Sequence, residues 1–314
     1  IVMVRLLRLG TLHGPMQQPW RYKYLEALYQ RRLEAGPEQP RFRSAFTNWN
    51  YEAELYACTH RFGENIHTDV LRRALTDASF MKQVVEQRAE AGLDQVERSM
   101  LPVSDNEELA RRGEEIASHY IKQVLRYWYP KFPEEGIEAV TAFLLSETTV
   151  AYISERLGFK TIIRCDTPVP RPATMKNALM AFIGAINESS DQQRAEAFTA
   201  DFILTHLVGK DINEIWHISN PMGLLSKILE ANGRQPAESR LIWATGVSSV
   251  LSTYVVGVYS GKEFLGKNYG NTIALAEEMA ARDALRRYFE TSEERAPIPF
   301  DKLKHMNFTS RLKP

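Results

Sequence analysis

The hydrophobic periodicity of the chain changes once, near residue 220. From residue 48 to residue 218, apolar residues recur at steps of three and four, the spacing that places them on one face of a helix. Beyond Asn220, a short helical pattern is followed by three segments rich in β-branched and aromatic residues, and then by an alanine-rich helical pattern. The sequence therefore predicts a mainly α fold class, with an all-helical domain followed by an α-β-β-β-α domain.

We expect four regions on this basis. They are a basic N-terminal arm with a helix (1–47), a helical domain (48–218), an α-β-β-β-α domain (219–290) and a C-terminal tail (291–314). The predicted helices span 20–34, 51–62, 69–76, 104–128, 134–145, 148–157, 173–188, 192–207, 221–232 and 272–289, and the predicted strands span 241–245, 253–259 and 263–266. Asn50, Thr68 and Ser104 stand where an N-cap side chain would accept a hydrogen bond from the first helical turn.

Charge is unevenly distributed along the chain. The 39 basic and 39 acidic side chains give a formal net charge of zero, but the arm carries +5, residues 48–218 carry −8, residues 219–290 carry +1 and the tail carries +2. Because polyanion binding depends on local rather than total charge, the arm is the region predicted to contact a polyanion.

Composition excludes several classes of protein. No stretch approaches the roughly 18 consecutive apolar residues of a spanning helix, so no membrane span is predicted. Cys58 and Cys165 are too few for a disulfide scaffold and lack zinc-site spacing, so we expect a reducing compartment, buried thiols and no structural zinc. The opening residues, IVMVRLLRLGTLHG, are basic and apolar, as the remainder of a cleaved organellar presequence would be; a chain boundary or a flexible arm explains them equally well.

Two motifs lie on predicted helices of the helical domain. The first is NEEL at 106–109, followed by Gly113 and Glu114, and the second is ALMAFIGA at 178–185. With the order of the two domains, these motifs resemble the ribonuclease III family over about residues 48–290. That family cuts double-stranded RNA with two metal ions held by four carboxylates, because one metal must activate water and another must stabilise the leaving oxygen.

The resemblance places a degenerate metal site at Glu107, Glu114, Asn177 and Met180. Glu107 matches a Glu of the family and Glu114 stands where the family has Asp, whereas Asn177 and Met180 replace Asp and Glu on one face of the second helix. An amide and a thioether cannot hold Mg²⁺ as two carboxylates do, and Ala110 replaces a further Glu of the motif. The resemblance therefore implies a chain without enzyme activity, with no bound metal and no other cofactor.

Glu107 and Met180 also have purely structural explanations. Ser104 and Glu107 have the spacing of a capping box, and Glu107 is one helical turn from Arg111, with which it can form an ion pair. Met180 lies in an apolar run, where a core position is expected.

The C-terminal domain resembles a double-stranded-RNA-binding domain. That family binds duplex phosphates with lysines at the start of its last helix. Those positions fall here on Ile273, Ala274 and Glu277. The resemblance implies that the start of the last helix binds a duplex weakly. The backbone N–H groups there can still meet one phosphate. The resemblance also implies that the domain is kept as a docking module.

Further phrases narrow the resemblance. NWNYEAE at 48–54, HRF at 60–62, TPVP at 167–170 and NPMGLL at 220–225 are similar to landmarks of the ribonuclease III-like proteins of the mitochondrial large ribosomal subunit. The resemblance implies a structural constituent of that subunit in the mitochondrial matrix, whose partners are large-subunit rRNA and other mitochondrial ribosomal proteins. Because the nuclease family dimerises through its signature helix, we expect a partner against residues 104–128, either a second ribonuclease III-like chain or a second copy.

On this interpretation the arm contacts RNA. The residues expected to neutralise phosphates are Arg5, Arg8, Arg21, Lys23, Arg31 and Arg32. Trp20 and Tyr24 would stack or pack at the contact. A solvated helix face with Trp20 packed on the body explains the same pattern.

Two alternative functions stay open. A mitochondrial double-stranded-RNA endonuclease would use Glu107, Glu114 and carboxylates recruited from elsewhere, such as Asp166 or Glu188. An RNA-processing adaptor that binds duplex RNA would require a basic C-terminal face, and the net charge of +1 for residues 219–290 argues against it.

Overall fold

The computed structural model describes residues 19–36, 40–90, 105–292 and 298–300. The helices in these ranges are α1 (Pro19–Ala35), α2 (Tyr51–Phe62), α3 (Thr68–Ala74), α4 (Ala78–Glu90), α5 (Glu107–Trp128), α6 (Glu134–Leu144), α7 (Glu147–Arg156), α8 (Pro172–Ser189), α9 (Gln192–Phe202), α10 (Ile212–Ile215), α11 (Pro221–Ala231) and α12 (Ile273–Tyr288). Short 3₁₀ helices span Arg43–Ala45, Phe159–Thr161 and Leu204–Leu207, and the strands are β1 (Ala237–Thr245), β2 (Thr253–Ser260) and β3 (Glu263–Gly270). The predicted fold class is confirmed.

Several predicted boundaries are wrong. Helix α4 was not predicted, and α9 ends at Phe202, after which a 3₁₀ turn continues to Leu207. Thr68 is the first helical residue of α3 and accepts no capping bond, whereas Asn50 does cap α2, because its Oδ1 accepts hydrogen bonds from the backbone N–H groups of Glu52 and Ala53. Strand β3 extends to Gly270, since the low strand propensity of glycine is overridden by packing against α12.

Helix α8 lies at the centre of the helical part. Every side chain from Ala178 to Ile186 is buried, and a helix that is apolar all round must be covered all round. Helices α3, α5, α7 and α9 supply that cover. The rings of Phe62, Phe159 and Phe198 lie 5.6, 5.1 and 5.3 Å from the ring of Phe182, so aromatic packing fixes one end of the core.

The C-terminal part is an antiparallel sheet in the order β1-β2-β3, with α12 packed on its inner face. Val256 and Val258 of β2 are buried on that face. A Cβ on Gly270 would lie 2.6 Å from the backbone N of Ala276, so β3 and α12 approach too closely for a side chain between them. The alanines of α12 and the glycines of β3 thus allow the helix and the strand to pack closely.

An aromatic cluster joins the two parts. The ring of Phe132, which is 6% exposed, lies 5.4 Å from the ring of Trp216 and 5.8 Å from that of Phe289 at the end of α12. Arg286 pairs with Asp211 at 3.0 Å across the same junction. The helical part and the sheet part therefore share buried side chains.

Both cysteines lie in the core, as the sequence predicts. Cys58 is 1% exposed and Cys165 is 6% exposed. Burial raises the pKa of the Cys58 thiol to about 11 and also raises the pKa of the Cys165 thiol. A thiol that stays protonated at neutral pH is a poor nucleophile, so both side chains serve packing.

No single helix in the described ranges is long and apolar enough to cross a membrane. The consecutive helices α6 and α7 meet that criterion together, with a bend of 43° between them. Their apolar residues Ile137, Val140, Leu144 and Val150 are buried in the helical core, which accounts for their hydrophobicity.

Candidate functional site

The two helices that carry the motifs cross at a pair of glycines. A Cβ on Gly113 of α5 would lie 1.9 Å from the carbonyl oxygen of Met180, and a Cβ on Gly184 of α8 would lie 2.3 Å from the carbonyl oxygen of Leu109. No side chain fits at either distance, so this crossing requires glycine on both helices. The crossing brings the first two turns of α5 against the middle of α8.

An ammonium group lies beside the second motif carboxylate. Lys176 Nζ is 2.9 Å from Glu114 Oε1, and the side chains of Lys176 and Glu114 are 23% and 45% exposed. Asn177 is half-buried, and Met180 is 1% exposed in the core. Glu114 therefore has a cation from its own chain as its counter-charge, and the neighbouring positions on α8 offer an amide and a buried thioether.

Glu107 is exposed in the first turn of α5 and makes no ion pair with any described residue. The ion pair predicted between Glu107 and Arg111 is wrong, because Arg111 pairs with Glu115 at 2.6 Å in the next turn. The predicted capping box is also wrong, because Glu107 is the first residue of α5 and Asn106 occupies the cap position, whereas the box requires Glu at the third helical position. Ser104 itself lies outside the described residues. The position of Glu107 near the positive end of the helix dipole is favourable by itself.

Arginines neutralise the carboxylate next to Glu107. Glu108 accepts hydrogen bonds from Arg73, at 2.8 Å, and from Arg112. The hydrogen bond from Arg73, followed by the charge of Arg112, holds the pKa of Glu108 below its usual range. Arg112 also lies 3.9 Å from Glu188, one of the two carboxylates considered for an endonuclease.

The carboxylates do not assemble into a metal-binding group. Asp166, the other carboxylate considered for an endonuclease, pairs with Arg171 at 3.3 Å. Among the residues that the structure describes, no group of three or more His, Cys, Asp or Glu side chains could hold a metal ion. The donor set beside Glu114, with its ammonium, amide and thioether, does not fit the two magnesium ions that the nuclease chemistry requires.

The outward side of α5 is polar. Its inward residues are buried, whereas Arg111, Glu115 and His119 are exposed and Ser118 and Lys122 are partly exposed. These residues line an open groove along the helix together with Glu114. A partner on this side would meet charges and hydrogen-bonding groups rather than an apolar surface.

The start of α12 has no lysine in the positions that bind duplex phosphates. Ile273 is 46% exposed, Ala274 is exposed, and Glu277 accepts a hydrogen bond from Ser239 at 2.8 Å. The neighbouring loop between β1 and β2 exposes Val250 and Leu251. This end of the domain is therefore apolar, and its first helical turn carries no basic side chain.

Only part of the predicted arm site lies among the described residues. Lys23, Arg31 and Arg32 are exposed on α1. Arg21 and Trp20 belong to α1, but their side chains are outside the description, and Arg5 and Arg8 are outside it altogether. Tyr24, Leu25 and Leu33 of α1 are 59%, 61% and 58% exposed, so this helix presents apolar as well as basic side chains to its surroundings.

Sequence reasoning missed two features. Lys176 directly precedes Asn177, but its pairing with Glu114 depends on the helix crossing and had no local signal. The second feature is the aromatic and basic outer face of the sheet. Lys267 and Tyr269 follow the strand alternation and were detectable once β3 was assigned, whereas Trp243 reaches this face through a shift of register in β1 that has no local signal.

Two family models match the chain. Residues 50–186 match the endonuclease domain of large ribosomal subunit protein mL44, and residues 216–314 match the MRPL44 dsRNA-binding domain.

The proteins similar to this chain include a member of the family that the two models describe and bacterial ribonucleases. The chain is 32% identical over 302 residues to large ribosomal subunit protein mL44 of Caenorhabditis elegans, which covers 92% of this chain and 75% of that protein. It is 24% identical over 233 residues to ribonuclease 3 of Enterococcus faecalis, covering 72% of this chain and 94% of that enzyme. Among solved structures, the nuclease domain of ribonuclease III from Campylobacter jejuni matches with a TM-score of 0.38 and 20% identity, over 51% of this chain and 97% of that chain.

Proposed function

The chain belongs to the family of large ribosomal subunit protein mL44, and we propose that it is a structural constituent of the mitochondrial large ribosomal subunit. The observation that carries this proposal is the identity of 32% across 92% of the chain, which spans both the helical part and the sheet part. In this role the protein binds large-subunit rRNA and neighbouring ribosomal proteins in the mitochondrial matrix.

We also propose that the chain does not cut RNA. The support is the Lys176–Glu114 ion pair at 2.9 Å, together with Asn177 and the buried Met180 on the same helix. Two-metal hydrolysis requires oxygen ligands that hold both ions, and a lysine beside Glu114 repels a divalent cation. Purified protein incubated with duplex RNA and Mg²⁺ or Mn²⁺ is expected to leave the RNA intact. Metal-dependent cleavage that Glu114→Gln abolishes would support the endonuclease instead.

The arm is proposed to contact rRNA. Lys23, Arg31 and Arg32 are exposed on α1, and the arm as a whole has a net charge of +5. Reversal of Arg5, Arg8, Arg31 and Arg32 to Glu is expected to reduce incorporation into the large subunit, because phosphate contacts depend on positive charge. The matched control reverses four exposed basic residues outside the arm, Lys82, Arg156, Arg171 and Lys210, to Glu. Equal incorporation of the arm variant and the unmodified chain would refute the arm contact.

A protein partner is proposed along the outward side of α5. Arg111, Glu115 and His119 are exposed there, and a second ribonuclease III-like chain with complementary polar groups is the partner that the family resemblance implies. Light scattering of the purified chain is expected to give a monomer if that partner is a different protein, and a dimer if it is a second copy. If the purified chain is a monomer and cross-linking from α5 in intact ribosomes captures no other protein, a partner at this surface is contradicted.

Stoichiometry tests the proposed function as a whole. Large subunits isolated through a tag on another large-subunit protein are expected to contain this chain at a level comparable to that of the other large-subunit proteins, measured by quantitative mass spectrometry. An RNA-processing factor or adaptor would be present at a small fraction of that level, and such a result would overturn the proposal.

A further inference from the structure

The outer face of the sheet carries an ordered array of aromatic and basic side chains. The inner face is defined by Val256 and Val258, which are buried under α12, so the alternate residues of β2 project outward, together with the residues of β1 and β3 that pair with them. The strand pairing aligns the outward residues in three rows across the sheet, which are Trp243–Val255–Tyr269, then Arg240–Gly257–Lys267, then Glu238–Tyr259–Phe264. An aromatic row therefore lies on each side of a basic row.

A β-bulge in β1 helps to build this face. The register shifts between Leu241 and Trp243, so Ile242 is an extra residue opposite β2. The Cδ1 atom of Ile242 lies over Gly257, 2.8 Å from where a Cβ would stand, so Ile242 projects from the outer face. Trp243 pairs with the outward Val255 and projects from the same face. Because Gly257 has no side chain, the side chains of Ile242 and Tyr259 lie over the centre of the face.

The aromatic side chains are open to solvent. Tyr269 is 68% exposed, Trp243 is 60% exposed and Phe264 is 42% exposed. The ring of Tyr259 lies 5.5 Å from that of Phe264, and the Arg240 guanidinium lies 5.0 Å from the Tyr259 ring centre. Aromatic rings and stacked guanidinium planes are the surfaces on which unpaired bases stack in RNA-binding sheets.

The charges of the face favour a polyanion over a protein. Lys267 is exposed in the basic row and has no ion-pair partner among the described residues, and Arg240 lies in the same row. Lysine is depleted in the core of protein interfaces, where it would have to lose its water. A phosphate beside Lys267 would instead supply the missing negative charge. Glu238, at the rim, is already paired with Arg240 at 3.0 Å.

We propose that the outer face of the β1-β2-β3 sheet binds an unpaired, single-stranded segment of RNA, with bases stacked on Trp243 and Tyr269 and phosphate charge met by Lys267. This site is distinct from the start of α12 and the β1–β2 loop, where the related domains bind duplexes. A duplex keeps its base faces stacked internally, so the face discriminates against it. That the bound RNA is rRNA rests on the proposed ribosomal function. The preference for single-stranded RNA rests only on the residues of the face.

The test uses the purified full chain and a ten-nucleotide single-stranded RNA of mixed sequence that contains 4-thiouridine. Fluorescence anisotropy measures the affinity, and ultraviolet cross-linking followed by mass spectrometry locates the contact. The variants are Trp243→Ala, Tyr269→Ala and Lys267→Ala. The controls are Tyr56→Ala, which removes a tyrosine that is 70% exposed on α2, and Lys82→Ala, which removes an exposed lysine on α4.

We expect cross-links within residues 241–245 and 267–270. Loss of one stacking ring should weaken binding by about 5- to 100-fold, while the two controls stay within about twofold of the unmodified chain. A duplex of the same length should compete poorly, and binding should weaken as salt rises.

The proposal is overturned if cross-links fall only in the basic arm, or if Trp243→Ala and Tyr269→Ala bind the single strand as tightly as the controls do. It is overturned as well if no single strand binds, and loss of neighbouring proteins from large subunits that carry the same two variants would then identify the face as a protein contact. Binding and cross-linking are measured on the purified chain, so their failure leaves the stoichiometry test of the ribosomal function independent.

Discussion

Gly113 and Gly184 lie where the backbone of the opposite helix leaves no room for a side chain. A methyl group on Gly113 would meet the carbonyl oxygen of Met180 at 1.9 Å, and backbone cannot move aside by changing rotamer. The same crossing places Lys176 beside Glu114. One pair of glycines therefore determines both the packing of α5 on α8 and the ion pair at the degenerate site.

Gly113→Ala and Gly184→Ala are expected to destabilise the protein by about 3 kcal/mol each, because the overpacked helices must separate. Ser118→Ala, a change of similar size on the partly exposed side of α5, is the matched control and should change stability by less than about 0.5 kcal/mol. Urea unfolding followed by circular dichroism measures the difference. Equal midpoints for Gly113→Ala and Ser118→Ala would mean that the helices do not cross at these residues.

The identities of the site residues could be read from the sequence, but their contacts could not. Asn177 and Met180 indicate by their chemistry alone that carboxylates are missing. The partner of Lys176 lies 62 positions away on another helix, so no spacing rule relates them. The expected pairing of Glu107 with Arg111 failed because two carboxylates lie one turn from Arg111, and the structure pairs it with Glu115.

At the scale of elements, capping explains where some helices begin. Both Asn50 and Thr68 have side chains that can cap, but only Asn50 accepts hydrogen bonds from its helix, at 3.1 Å from Glu52 N and 3.4 Å from Ala53 N. Thr68 is already helical, and His67 occupies the cap position without a side-chain bond. Residue type identifies candidate caps, whereas the backbone conformation decides between them.

Asn50→Ala is expected to lower the free energy of unfolding by about 1 kcal/mol, because the first turn of α2 loses its hydrogen-bond acceptor. Thr68→Ala, also at the start of a helix, should change it by less than about 0.5 kcal/mol. Thermal melting of the two variants side by side measures the contrast. A larger loss for Thr68→Ala than for Asn50→Ala would contradict the assignment.

Elements with a strong hydrophobic period were predictable, and weakly amphipathic ones were not. Helix α5 has one buried face and one charged face, so its period is evident. Helix α4 was missed because Phe80, Met81 and Val84 are only half-buried and Val85 is exposed, which leaves a weak pattern. Strand β3 ends four residues later than predicted, since α12 packs on Gly270.

At the scale of the molecule, the helical part and the sheet part are held together by contacts distant in sequence. Phe132 follows α5, whereas Phe289 follows α12, and their rings lie 5.8 Å apart. Lys131 and Glu290 form an ion pair at 2.7 Å beside them. The sequence indicates two folding units from the change of period, but it contains no local sign that they share this cluster.

Phe132→Ala is expected to destabilise the protein by about 3 kcal/mol and to separate the unfolding of the two parts, because the shared cluster loses its central ring. Phe46→Ala, which removes a ring that is 50% exposed, is the control. Calorimetry of the unmodified chain should give one transition, and Phe132→Ala should give two. One unchanged transition for Phe132→Ala would show that the cluster does not couple the parts.

The proposed membership of the mitochondrial large ribosomal subunit is tested most directly by sedimentation. Mitochondria that contain the tagged chain are lysed and run through a sucrose gradient, with and without EDTA, and large-subunit rRNA is probed in every fraction. The account predicts that the chain migrates with that rRNA in both gradients and shifts with it when EDTA alters the particles. A chain that remains in the light fractions while the rRNA sediments would contradict a structural role in the subunit.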